Sequence, residues 1–159
     1  MGFYLGSELD RGLTEDLSPT ITLCEYASTF FWVIRIFGTG PEQHSARYRP
    51  GCQYLSAGLP GRAVGFFSEL VARQPRDQPA HRLLGMAHLC QGNLAVGAKH
   101  LEIALELLRH ELDGGTTFDN ALRIQYEAAL LRVALIPLYM RLGRTHEARL
   151  LVTEAFKTL

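Results

Sequence analysis

The sequence predicts an all-α protein, and three observations support this prediction. Small and aromatic residues recur about every thirty-four residues, a period typical of stacked helical hairpins. Apolar runs with helical spacing are followed by Gly58, Gly92 and Gly143, where a residue that tolerates positive φ can end a helix. Of the 159 residues 47% are hydrophobic and the formal net charge is zero, which fits one elongated helical core.

Residues 1–43 are predicted to form a first part, with an acidic, irregular start through Leu17 and one apolar helix at about residues 19–37. Ser18 as N-cap and Pro19 in the first turn mark the start of this helix, and Gly38 marks its end. A short linker with Gly40 and Pro41 follows. The first part is therefore expected to be an extra helix ahead of the repeats.

The predicted helix at 19–37 is apolar on nearly every side, so something must cover it. One interpretation is that it packs on the first hairpin or against a partner subunit. The other is attachment to a membrane, since nineteen residues at 1.5 Å each come to about 28 Å. Glu25 and Arg35 argue against a span, because each adds roughly 2.5 to 3.5 kcal/mol at a bilayer centre and less nearer the ends.

Six more helices are predicted in a second part, residues 44–159. We expect them near residues 45–57, 60–73, 78–91, 94–112, 118–142 and 145–158. Pro60 suits the first turn of its helix, and the stretch from Asp113 to Thr117 is the clearest loop. Pro137 lies inside the fifth of these helices and is expected to bend it, because proline removes one backbone hydrogen bond.

Matching residues recur in three units of this second part. The first unit contains Gly51, Tyr54, Gly58, Ala63, Phe67 and Pro75. The second contains Gly85, Gly92, Leu101 and Ala104, with His88 in the aromatic position and Gly97 in place of Ala. The third follows a seventeen-residue insertion and contains Ile136 in place of the first Gly, then Tyr139, Gly143, Ala148 and Ala155.

This pattern resembles the tetratricopeptide repeat, although the usual Trp is missing from every unit and no Pro closes the second. The resemblance implies a right-handed α-solenoid of about three hairpins, at about residues 44–77, 78–112 and 118–159. It says little about function, because one fold supports many functions.

In tetratricopeptide repeats the first helix of each hairpin lines a concave groove. The resemblance implies that the partner-binding residues are Tyr48, Arg49, Cys52, Arg82, Met86, Leu89, Val133, Pro137, Met140 and Arg141. Such a groove suits an amphipathic helix or extended segment with an apolar face and a few acidic groups, because Met adapts its shape and Arg binds carboxylates at two points. The alternative is that some of these residues only cover the apolar helix at 19–37.

No catalytic, metal or cofactor motif is found in the sequence. The six histidines are dispersed; His81 and His88 are seven residues apart and share a helical face, but no third ligand is evident. The three cysteines, Cys24, Cys52 and Cys90, lack metal or redox spacing, which favours a reducing compartment such as the cytoplasm. The chain also lacks the basic excess of a nucleic-acid-binding protein.

The sequence therefore predicts a non-catalytic scaffold or assembly chaperone that binds a segment of another protein. The alternative is a membrane-associated or self-associating structural subunit that is attached through residues 19–37. In either case, no cofactor is expected, and a homo-oligomer is compatible with both.

Overall fold

The structure is a computed structural model that describes residues 45–157, with side chains as far as Glu154. The predicted leader, the predicted helix at 19–37 and the linker lie outside the described residues, as do Cys24 and His44. The expectations for that part of the chain stay predictions.

The described residues form six α-helices and no strand, which confirms the all-α class. The helices are α1 (Arg49–Ser56), α2 (Pro60–Arg73), α3 (Gln78–Cys90), α4 (Leu94–Asp113), α5 (Phe118–Arg141) and α6 (Thr145–Lys157). The predicted bounds of the last five agree with these to within one residue at each end.

The first helix begins later than predicted, at Arg49 rather than Ser45. Residues 45–48 form a turn in which the Ser45 carbonyl accepts the N–H groups of Tyr48 and Arg49. Pro50 lies in the first turn of α1. Its ring has no N–H for the carbonyl four residues earlier and clashes with that carbonyl, which disfavours extension of the helix towards the N-terminus.

Each helix packs mainly on the helices that precede and follow it in the chain. The contacts between α3 and α4 show that these two helices are antiparallel. Near their connecting turn, Leu89 lies against Gly97, and one turn further from it Gly85 lies against Leu101. The tight connections between the other pairs are also those of antiparallel neighbours.

Three of the connections close in the same way. Gly58, Gly92 and Gly143 adopt φ angles of 71°, 81° and 74°, as the sequence predicts. In each turn the residue after the glycine donates its N–H to the carbonyl five residues earlier: Leu59 to Tyr54 at 2.8 Å, Asn93 to His88 at 2.9 Å and Arg144 to Tyr139 at 2.8 Å. This is the Schellman motif, which satisfies carbonyls that the end of a helix leaves without partners.

The core consists of large apolar side chains that alternate with small ones. Its largest fully buried side chains are Phe67, Leu83, Leu101, Leu108, Ile124, Leu135 and Leu138. Alanines with 0–7% exposure lie among them, namely Ala63, Ala80, Ala87, Ala98, Ala104, Ala128 and Ala148. Small residues let the helix backbones approach, and the large side chains fill the remaining space.

Glycines mark the closest helix contacts. A Cβ atom added at Gly97 would lie 2.6 Å from the Leu89 side chain and 3.0 Å from the carbonyl oxygen of Gly85. One added at Gly51 would overlap the ring of Phe67, which is fully buried. The glycines in the repeat positions therefore have a packing role.

Substituting Gly51 by Ala tests this packing. We expect a net destabilisation of about 1–2 kcal/mol, because overpacking costs roughly 1–3 kcal/mol while Ala favours a helix over Gly by roughly 0.5–1 kcal/mol. Gly65→Ala in α2 is the matched control, since nothing lies within 4 Å of its added Cβ. The control should gain stability in urea denaturation, and a stable Gly51→Ala variant would show that residue 51 does not meet Phe67.

Candidate functional site

The predicted partner-binding residues of the first two units are mostly buried. Cys52, Met86 and Leu89 are 9%, 4% and 3% exposed. The Leu89 side chain reaches the backbone of Gly97 on the next helix, which explains its burial. These three residues are packing residues in this structure, and so their side chains present almost no surface to a partner.

The polar members of the same set lie closer to solvent. Arg49 is exposed, while Tyr48 and Arg82 are half-buried. The Tyr48 hydroxyl donates to both carboxylate oxygens of Asp77, at 2.9 and 3.1 Å. This hydroxyl is engaged within the fold, and the structure gives Tyr48 a tethering role that the sequence does not predict.

The predicted residues of the third unit are at the surface. Val133 and Met140 are 62% and 56% exposed, Arg141 is exposed and Pro137 is half-buried. Helix α5 runs without interruption through Pro137, so the proline is accommodated within one helix. The structure thus brings the exposed part of the predicted site together on α5.

Helix α5 has a second set of exposed apolar side chains that the sequence analysis missed. Phe118, Leu122 and Tyr126 are 77%, 51% and 53% exposed. Together with Val133 and Met140 they are spaced by four or seven residues and so lie on one helical face. We call these five residues the α5 stripe; its ends are ~33 Å apart along the helix.

The opposite face of α5 is also apolar and forms part of the core. Its buried residues are Ile124, Ala128, Leu131, Leu135, Leu138 and Tyr139. A helix that packs on a core needs one apolar face, and the other face is ordinarily polar. Packing of the described residues does not explain the α5 stripe, which makes it the best candidate for a contact outside them.

Polar tethers hold α5 to α4 along its length. Near the start of α5, Arg123 donates to Glu111 of α4 at 3.0 Å and to Glu127 at 2.9 Å. Near its end, the Tyr139 hydroxyl donates to Glu102 of α4 at 2.7 Å. Burial, and then the hydrogen bond to Glu102, raise the pKa of Tyr139.

Arg144 completes the second tether. It follows α5 and donates to the same Glu102 oxygen at 2.7 Å, while its guanidinium lies 4.2 Å from the centre of the Tyr139 ring. It also pairs with Glu147 of α6. The carboxylate of Glu102 therefore joins α4, the end of α5 and the residue before α6.

A similar tether precedes α3. The Asp77 side chain is 4% exposed and accepts from Arg47 at 2.6 Å and from Tyr48. It also caps α3 by accepting the Ala80 N–H at 3.0 Å. One buried carboxylate thus links the start of the described chain to the first turn of α3.

Three histidines from two helices form a second cluster. His81 and His88 lie on α3, as the sequence predicts from their spacing, and His100 joins them from α4. The Nδ1 atoms of His81 and His100 are 3.2 Å apart, and the rings of His88 and His100 are stacked with centroids 5.7 Å apart. We call these three residues the imidazole cluster.

The residues that the structure describes contain few groups suited to metal binding or redox chemistry. Among residues 45–157 no group of three His, Cys, Asp or Glu side chains is placed to hold a metal ion. Cys52 is a buried thiol, and burial raises the pKa of the Cys90 thiol, which lowers its thiolate fraction. In the same range, no helix has the length and apolar character needed to cross a membrane.

Comparison with known proteins found no matching family model and no matching curated protein. The resemblance to tetratricopeptide repeats stays a prediction that depends on the spacing of the repeated residues.

Asp77→Ala tests the tether before α3. We expect a loss of about 2–4 kcal/mol, because the variant removes a helix cap worth roughly 1 kcal/mol and the buried carboxylate that accepts charge-assisted hydrogen bonds from Arg47 and Tyr48. Glu69→Ala is the matched control, since its ion pair with Arg73 is exposed and 3.7 Å long and should be worth less than about 0.5 kcal/mol. Chemical denaturation checks both values, and equal losses would contradict a special role for Asp77.

Proposed function

We propose that the protein is a non-catalytic scaffold or assembly chaperone that binds a segment of another protein on the α5 stripe. In this proposal the six helices form three tetratricopeptide-like hairpins in a right-handed solenoid. The observation that carries the functional part is the exposed apolar face of α5, opposite its core-packing face.

The identical closure of three hairpins supports the proposed architecture. Gly58, Gly92 and Gly143 occupy equivalent positions, and the residues four before them, Tyr54, His88 and Tyr139, accept equivalent hydrogen bonds. Neighbouring helices pack in chain order. A stack of equivalent hairpins leaves one helix of each pair available for a ligand.

The chemistry of the α5 stripe favours a partner with its own apolar face. Tyr126 offers an aromatic ring and Met140 an adaptable thioether, two side-chain types that are frequent in protein interfaces. Arg141 adds a cationic group at the end of the stripe, which favours an acidic group on the partner. An amphipathic helix with a few carboxylates meets these requirements.

The size of the stripe limits the affinity that it can provide alone. A face ~33 Å long and about 10 Å wide offers roughly 330 Å², whereas a stable interface buries about 800 Å² on each partner. Binding confined to α5 should therefore be weak. Tight binding requires the partner to contact neighbouring surfaces as well.

A photo-reactive residue in place of Tyr126 will identify the partner by cross-linking and mass spectrometry in cells, and the purified partner then serves in binding assays. We expect Val133→Glu to weaken binding at least about tenfold, because it places a charge in the apolar contact. It should leave the free energy of unfolding within about 0.5 kcal/mol, since Val133 is exposed.

Val96→Glu is the matched control, because Val96 is an exposed valine on α4, outside the α5 stripe. It should bind as the wild type does. Equal affinity of the Val133→Glu variant and the wild type would overturn the proposed site. Cross-links only between two copies of this chain would favour the self-associating alternative.

A further inference from the structure

The imidazole cluster has a geometry that restricts how many protons it can hold. The Nε2 atom of His81 lies 2.9 Å from the Pro75 carbonyl oxygen, which can only accept a hydrogen bond. Nε2 must therefore carry the proton of neutral His81. The Nδ1 atom of His81 is then an acceptor, and the Nδ1–H of His100, 3.2 Å away, donates to it.

One further proton fits this arrangement. If His81 becomes an imidazolium, its Nδ1–H donates, and His100 keeps the hydrogen bond by moving its own proton to Nε2. A second added proton does not fit, because both Nδ1 atoms would then be donors. Two positive rings would face each other across 3.2 Å without a hydrogen bond between them.

No nearby group among the described residues stabilises a positive charge on His100. The groups whose charges act on it are His81 and His88 of α3 and Lys99 of its own helix, and all of them disfavour its protonated form. Burial is the larger effect, and together these causes lower the pKa of His100 from 6.5 to about 4. The pKa of His88 is also lowered by burial.

The imidazole cluster lies one helical turn from the close contact between Gly85 of α3 and Gly97 of α4. His81 is four residues before Gly85 and His100 is three residues after Gly97, and the added Cβ of either glycine would lie 3.0 Å from the other's carbonyl oxygen. Because His81 is buried and its Nε2 is held at the Pro75 carbonyl, repulsion between the two rings falls on His100 and on the helix that carries it. The interaction is local, but it acts on the contact that holds the hairpin together.

We propose that the imidazole cluster makes the α3–α4 hairpin proton-sensitive: the hairpin is closed while the His81–His100 pair holds at most one added proton, and it loosens when a second enters. The folded state favours the neutral form of His100. The stabilisation of the fold by neutral His100 is therefore complete above pH 6.5. This stabilisation is lost progressively as the pH falls from 6.5 towards 4.

Amide hydrogen exchange of the whole chain at pH 7.5 and pH 5.0, corrected for intrinsic exchange rates, tests this inference. We expect protection of α3 and α4 to fall about tenfold at pH 5.0, because the opened hairpin binds a proton that the closed hairpin excludes. The fall is less than the full pKa shift implies, since His100 is partly exposed to solvent. His100→Asn should keep its protection at both pH values to within about threefold, because the Asn amide can donate to His81 and does not titrate.

His146→Asn is the matched control, since His146 is an exposed histidine on α6. It should show the same pH response as the wild type. An equal response in His100→Asn and the wild type would overturn the inference.

Nitrogen-15 NMR of the wild-type imidazoles provides a test that does not depend on a stable variant. We expect His81 to carry its proton on Nε2 at pH 7.5 and His100 to remain neutral at pH 5.0. Titration of His100 near pH 6.5, or a proton on Nδ1 of neutral His81, would contradict the proposed arrangement.

Discussion

The close approach of paired helices is the constraint on which the rest of the structure depends. Gly51 admits the ring of Phe67, and Gly85 and Gly97 let two backbones pass within contact distance. Larger residues at these places would force the helices apart and remove partners from the leucines of the core. The same approach brings His81 and His100 together, so the packing of the hairpin also creates its most unusual polar contact.

The positions of the helices could be predicted because their ends have local causes. Pro60 begins α2, and positive-φ glycines end α1, α3 and α5, each through chemistry that acts within a few residues. The predicted start of α1 was wrong because the prediction did not consider Pro50. The clash of its ring with the carbonyl four residues earlier is also a local effect. The helix at 118–142 was predicted to continue past Pro137, and α5 does so as far as Arg141.

The candidate site was harder to predict, since exposure depends on contacts that are distant in sequence. Family spacing selected Met86 and Leu89, which the crossing at Gly97 buries. It also selected Val133 and Met140, which are exposed, but it stopped short of Phe118 and Leu122 because α5 is longer than a normal repeat helix. Counting apolar residues around the whole of α5 would have revealed two apolar faces. His100 could not have been found that way, because it joins His81 only through the crossing of α3 and α4.

The tethers explain how one helix can be apolar on two sides and keep a defined orientation. Apolar contacts alone would allow α5 to rotate, since either face could pack on the core. Arg123 near its start and Tyr139 near its end bind carboxylates of α4 and so select one orientation.

The closure of each hairpin by its own backbone also bears on how such a chain can change in length. The hydrogen bonds of a Schellman turn lie within six residues. The turn that joins the two helices of a hairpin therefore does not depend on the opposite, open end of the hairpin. The junction at residues 114–117 is such an open end, and the two helices beside it, α4 with 20 residues and α5 with 24, are the longest described. Insertions during evolution, and linkers added by design, should be tolerated at this junction and rejected at the glycine tips.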